Sequence, residues 1–149
     1  MNRLRSSLLA FAGLLILGSA SLSAKSVTVE ANDQMKFSVT KIEAEAGSEL
    51  TIVLKNVGKM PKAAMGHNLV VLTKDANPSA FSNAAAVAAA TEYIPAQMKD
   101  QVIAATKMLG PGEEDSITFT VPSEPGDYVF LCSFPAHFIV GMKGVITVK

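Results

Sequence analysis

One cysteine, Cys132, and two histidines, His67 and His137, are all the thiol and imidazole side chains in this 149-residue chain. Two of the three lie in one short stretch, Cys132-Ser-Phe-Pro-Ala-His137-Phe-Ile-Val-Gly-Met142. A thiolate, two imidazoles and a thioether are the donors with which proteins hold a copper ion that exchanges single electrons. In such sites Cys and both His lie close around the metal and Met lies far off on the axis. Taken alone, each residue reads as packing, since a buried Cys is a small hydrophobe and Met fills gaps. Taken together, they place every Cys and His of the chain in one ligand pattern, and that joint pattern outweighs the separate readings.

The spacing suits that chemistry. Cys132, His137 and Met142 on one loop between two strands are held by the strand ends, while His67 arrives from a separate strand and supplies the remaining direction. Both oxidation states then meet nearly the same geometry, which keeps rearrangement during electron transfer small. Zinc is the rival metal, because Cys, two His and a fourth ligand also make a tetrahedral site.

Composition limits the alternatives. About half the residues are hydrophobic and 17% are charged, enough for one domain with a sizeable core. Arg3 and Arg5, the apolar run Leu8 to Leu17 and the small residues Gly18 to Ala24 read as a signal peptide, residues 1–24, cleaved near Ser23 or Ala24. The apolar run is too short to span a bilayer, so no stable membrane insertion is expected once the leader is gone. Its removal takes two Arg and no acidic residue, and the formal charge falls from zero to −2. No basic patch argues for nucleic acid. The expected compartment is the periplasm, where a lone Cys is either a liability or a ligand, and a metal-held thiolate is protected.

Residues 25–149 read as one all-β domain, a Greek-key β-sandwich or barrel with one helical insertion. Expected strands are Ser26–Ala31, Lys36–Glu43 with a bulge where Ile42 falls out of step, and Glu49–Leu54, whose near-continuous apolar run suggests burial on both faces. Asn68–Thr73 is similar, and Asp115–Val121, Asp127–Cys132 and Lys143–Lys149 follow. The insertion covers residues 77 to 105. Asn77 can cap a helix and Pro78 fits its first turn, Ala84 to Ala90 has high helix propensity, and Tyr93-Ile-Pro95 ends it. It reads as a surface helix covering one side of the sandwich.

Asn32-Asp-Gln-Met35, Met65-Gly-His-Asn68, Val102 to Gly110 with Gly112-Glu113, and Cys132-Ser-Phe-Pro-Ala-His137 closing with Met142-Lys-Gly144 resemble the azurins, bacterial cupredoxins. The resemblance runs in order through nearly all of residues 25–149. It implies a type 1 (blue) copper protein with His67, Cys132 and His137 as strong ligands, Met142 as the long axial one and the Gly66 carbonyl as a weak contact opposite. Glycine at 66 would let backbone approach the metal. The N–H groups of Asn68 and Phe134 would point at the Cys132 sulfur, and the Asn68 side chain would tie the loops together through Ser133. Redox protein donors and acceptors would approach an apolar patch around His137 formed by Met35, Met60, Pro61, Ala64, Met65 and Phe138.

The chain departs from that family in four places. Lys25 and Gly47 or Ser48 stand where azurins commonly carry a disulfide, Leu69 stands where a buried Trp is expected, and Asn56 stands where some members have a His. Four residues rather than three separate His137 from Met142. Two other functions compete with a one-electron carrier. One is a Cys-based enzyme or a copper oxidase or reductase, but no acidic residue is near either His in sequence, and a catalytic copper keeps a position open for substrate. The other is a copper-holding storage protein or chaperone, which favours exposed and exchangeable sites.

Overall fold

The computed structural model describes residues 24–149; apart from Ala24, the expected leader lies outside the described residues. Among the described residues nine strands form two sheets. Strands β1 (Lys25–Asn32), β2 (Lys36–Phe37), β4 (Glu49–Asn56) and β7 (Glu114–Thr120) make the first sheet, in the order β2-β1-β4-β7. Strands β3 (Lys41–Ala44), β5 (Val70–Leu72), β6 (Val102–Ala105), β8 (Gly126–Leu131) and β9 (Lys143–Val148) make the second, in the order β3-β9-β8-β5-β6. Most pairs are antiparallel, but β1 runs parallel to β4 and β3 parallel to β9. Two mixed sheets face to face form the Greek-key sandwich expected of the sequence.

The period-2 pattern explains the core. Val29 and Ala31 of β1 and Leu50, Ile52 and Leu54 of β4 point inward from one sheet, against Ile42, Val71, Phe130, Ile146 and Val148 from the other. Each such buried Val, Leu, Ile or Phe side chain contributes about 1.5–3 kcal/mol. The Tyr128 ring joins this core, and its hydroxyl donates to the Glu124 carbonyl at 2.9 Å, fastening the turn before β8.

Four expectations change on contact with the structure. Lys36 to Glu43 is not one bulged strand. Lys36–Phe37 pairs with β1, residues 38–40 cross the edge of the sandwich, and Lys41–Ala44 joins the opposite sheet beside β9. The out-of-step residue is therefore a change of sheet, which lets Phe37 and Ile42 face one core from opposite sides. β4 is buried on one face only, with Thr51 and Val53 half-buried on the other, whereas β5 is buried on both.

The helix is also shorter than expected. α2 spans Pro78–Ala85, capped by Asn77, whose side chain accepts from the Ala80 N–H at 3.0 Å. It buries Phe81, Ser82 and Ala85, and Phe81 and Ala85 pack with Val70, Leu72 and Leu131 on the outer face of the second sheet. The alanine tract beyond has no apolar face to bury, Val87 being 88% exposed, and propensity alone does not extend a short helix. Instead the chain makes 3₁₀ turns at Ala89–Thr91 and Ala96–Gln101. Finally, Val102–Ala105 is an edge strand and not part of the helical insertion. Among the described residues no helix is long and apolar enough to cross a membrane.

Candidate metal centre

His67 and Cys132 sit at the same end of neighbouring strands. Cys132 follows β8 directly, and its N–H donates to the Met142 carbonyl at 3.1 Å. The Met142 N–H in turn donates to the His137 carbonyl at 2.9 Å, and the His137 N–H to that of Phe134 at 3.1 Å. The loop is thus a run of tight turns closed at its base, with Ala136 held at φ 71°. His67 precedes β5 and is gripped by Leu109: the His67 N–H donates to the Leu109 carbonyl at 3.1 Å, and the Leu109 N–H to that of His67 at 2.7 Å.

This scaffold brings three of the residues singled out in the sequence together. The ligating atoms of His67, Cys132 and His137 all lie within 4.8 Å of one another, with Cys132 Sγ 3.4 Å from His137 Nδ1. The imidazole rings stand 4.9 Å apart and are tilted by 40°. All three residues are buried, His67 and Cys132 completely. Both ring nitrogens of His67 lack a hydrogen-bond partner, a costly state for buried polar atoms. Two buried imidazoles converging on a buried sulfur, with one imidazole unpartnered, fit a metal ion.

Burial sets the charge of the metal-free site. It pushes the Cys132 thiol up to about 12, against the opposing pull of the Asn68 and Phe134 N–H groups that face the sulfur. Burial and then the neighbouring His67 push His137 down to about 4. Burial also lowers His67, partly offset by the Asp33 carboxylate and the Asn32 backbone. At neutral pH the metal-free site therefore holds a neutral thiol and neutral imidazoles. Binding a cation at the sulfur must expel the thiol proton, so from neutral pH up to the Cys132 titration about one proton should be released per ion and affinity should rise about tenfold per pH unit. Calorimetry in buffers of different ionisation enthalpy measures that number, and a result of zero or two contradicts it.

The surrounding groups hold the two ligand segments together. Asn68 is fully buried; its Nδ2 donates to Ser133 Oγ at 2.8 Å and its Oδ1 accepts from the Ser133 N–H at 2.9 Å, the tie expected from the sequence. Asn68→Ala strands both Ser133 groups in a dry interior and should cost about 1–3 kcal/mol for each, read as a lower denaturant midpoint at unchanged slope. Asn56 is buried and donates from Nδ2 to the same Leu109 carbonyl at 3.1 Å, anchoring the segment that grips His67. Leu69 is completely buried in the core.

Met142 is completely buried at the end of the loop, in one cluster with Cys132 and Phe134. Gly66 is buried too, and packing within the protein demands a glycine there: a Cβ would come within 2.8 Å of the Lys62 carbonyl and 3.0 Å of Met108 Sδ. Sequence reasoning missed the short helix α1 (Lys62–Met65) and the contributions of Met108, Leu109 and Tyr93. No ligand chemistry marks these residues, which act through backbone pairing and ring packing.

The family model described as copper binding proteins, plastocyanin/azurin family, matches residues 23–149. The chain belongs to that family. The azurin of Alcaligenes faecalis is 42% identical over 123 residues, covering 80% of this chain and 94% of that protein. Among solved structures, the azurin Az-iso2 of Methylomonas sp. strain J matches with a TM-score of 0.72 and 32% identity, over 83% of this chain and 97% of that one. Dithionite-reduced auracyanin from Roseiflexus castenholzii matches with a TM-score of 0.69 and 33% identity, over 83% and 96%. Members of the family are blue copper electron carriers and not enzymes. Copper is accordingly the cofactor, at the site where His67, Cys132 and His137 converge.

Proposed function

We propose that this chain is exported to the periplasm by residues 1–24 and that residues 25–149 shuttle single electrons between redox proteins. His67, Cys132 and His137 are the principal copper ligands, Met142 the weak thioether donor and the Gly66 carbonyl a weaker contact. The observation that carries this reading is the convergence of three buried donor atoms within 4.8 Å, with both His67 nitrogens otherwise unpartnered. Copper held by such donors takes up and returns one electron, and its bond to the thiolate absorbs intensely in the visible.

The residues of the chain do the rest. Asn68 and Phe134 direct N–H groups at the sulfur, which withdraws electron density from it and favours the reduced state. The buried core around Met142 keeps water away. Of the residues read as an apolar patch, Met60, Pro61 and Ala64 are exposed and Met35, Met65 and Phe138 half-buried, and on the ligand loop Ile139 and Val140 are 73% and 57% exposed. Small apolar surfaces of this kind suit brief encounters between carriers.

A visible spectrum and redox titration of the copper-loaded chain test the reading. An intense blue band with a reversible one-electron couple supports it, and a colourless Cu(II) complex overturns it. Met142→Gln should keep the band and lower the midpoint potential, because an amide oxygen supports Cu(II) better than a thioether does. An unchanged potential removes Met142 from the ligand set.

A further inference from the structure

The turn at Glu92 and Tyr93 lies outside the donor set, yet it reaches both segments that carry it. These are consecutive non-glycine residues with φ of 52° and 63°, a conformation that persists only where the surroundings over-determine it. Here they do. The Glu92 and Tyr93 N–H groups donate to the Ala89 and Ala88 carbonyls at 3.2 and 2.9 Å, and the Thr91 hydroxyl donates to the Ile94 carbonyl at 2.6 Å.

Two arms leave this turn. The Glu92 carboxylate lies 3.4 Å from Lys62 Nζ in α1 and accepts from the Met108 N–H at 3.3 Å. Met108 adjoins Leu109, whose backbone grips His67 in both directions. On the other side the Tyr93 ring stands 5.1 Å from that of Phe134, tilted by 59°, and Phe134 stands 4.8 Å from His137, tilted by 39°. Tilted pairs at these separations are a favoured aromatic geometry. A plain surface turn would need neither the left-handed backbone nor the ring stack.

We propose that the Glu92–Tyr93 turn is a positioning clamp for the metal centre, in which Glu92 places His67 through the backbone of Met108 and Leu109, and Tyr93 sets the tilt of His137 through Phe134. The proposal rests on the reading of both histidines as ligands. The clamp holds the two rings in register from outside the ligand loop, before any metal is bound, and restrains their drift as the charge of the centre alternates. Tyr93 and Glu92 are positioning residues, acting only through other groups.

Proton NMR of the metal-free chain reads the clamp directly, because the chain has only two histidines. Tyr93→Leu should displace the His137 ring-proton resonances in the metal-free chain and lower the midpoint potential of the copper-loaded one by admitting water beside that imidazole. Tyr93→Phe keeps the ring and should match the unsubstituted protein in both readouts. Glu92→Ala should displace the His67 resonances more than those of His137. Tyr128→Phe is the control: loss of its bond to Glu124 should lower thermal stability and leave both histidines in place. The clamp is refuted if Tyr93→Leu leaves the His137 resonances unmoved, or if Tyr128→Phe displaces them equally. Should Tyr93→Leu not fold, unmoved His67 resonances in Glu92→Ala refute it instead. A colourless copper complex of the unsubstituted chain would sink the carrier reading alone, since the metal-free spectra would still decide the clamp.

Discussion

Cys132→Ser, loaded with Cu(II), should be colourless and should lose the reversible couple, while its metal-free form folds normally. The substitution replaces sulfur by oxygen in a completely buried position. A serine hydroxyl there does not ionise, because burial already pushes the far more acidic thiol up to about 12. Without an anionic sulfur there is no thiolate-to-copper charge transfer and no strong bond to hold the two oxidation states in one geometry. The two imidazoles remain, so some metal affinity survives, and titration should show binding without colour. Volume changes little, but a buried hydroxyl replaces a thiol, so the metal-free chain should lose about 1–3 kcal/mol of stability and still fold. An intense visible band in this variant would mean that another group supplies the charge and that Cys132 is only packing.

Gly144→Ala should be the most damaging single methyl in the second sheet. A Cβ at this position would lie 2.2 Å from Cζ of Phe130 and 2.6 Å from the Thr40 carbonyl. Neither neighbour can yield. Phe130 is completely buried and packed against Phe37 at 5.7 Å between centroids, and the Thr40 carbonyl accepts from the Val145 N–H at 2.9 Å. The added methyl meets the point where the chain crosses between sheets, so relief requires moving a strand. We expect a loss of about 3 kcal/mol or more, the upper end of overpacking costs, read from urea unfolding of the metal-free chain. Gly112→Ala is the comparison: a Cβ there meets nothing within 4 Å, and only its φ of +76° opposes the change, a cost of about 1–2 kcal/mol. Equal losses in the two variants would show that the crossing is softer than its geometry implies.

The donor trio was legible in the sequence because chemistry labels it: with one Cys and two His in the chain, few pairings are open. β1 and β7 were legible because their apolar alternation survives to the strand ends, and β8 and β9 because their apolar runs lie between Gly and Pro turns. Other features depend on partners distant in sequence. The crossing at residues 38–40 shifts the pattern by one position, just as a bulge would, and only pairing with β9 distinguishes them. β6 hides inside an alanine-rich stretch because an edge strand against β5 needs few β-formers. The end of α2 is set by where Phe81 and Ala85 run out of sheet to cover, and helix propensity carries no such information. Tyr93 looked like the end of a helix, and its place beside Phe134 is a tertiary fact.

Two backbone bonds, from Cys132 to Met142 and from Met142 to His137, close the loop below its tip. Above them, the Val140 N–H donates to the Ala136 carbonyl and the Gly141 N–H to that of Phe138, and the Ile139 and Val140 side chains stand in solvent. Substitutions at that tip change the outward face and its solvent-facing aliphatics, while the bonds at the base of the loop hold Cys132 beside the end of β8. The outward face of the loop can therefore be altered without touching the bonds that close it.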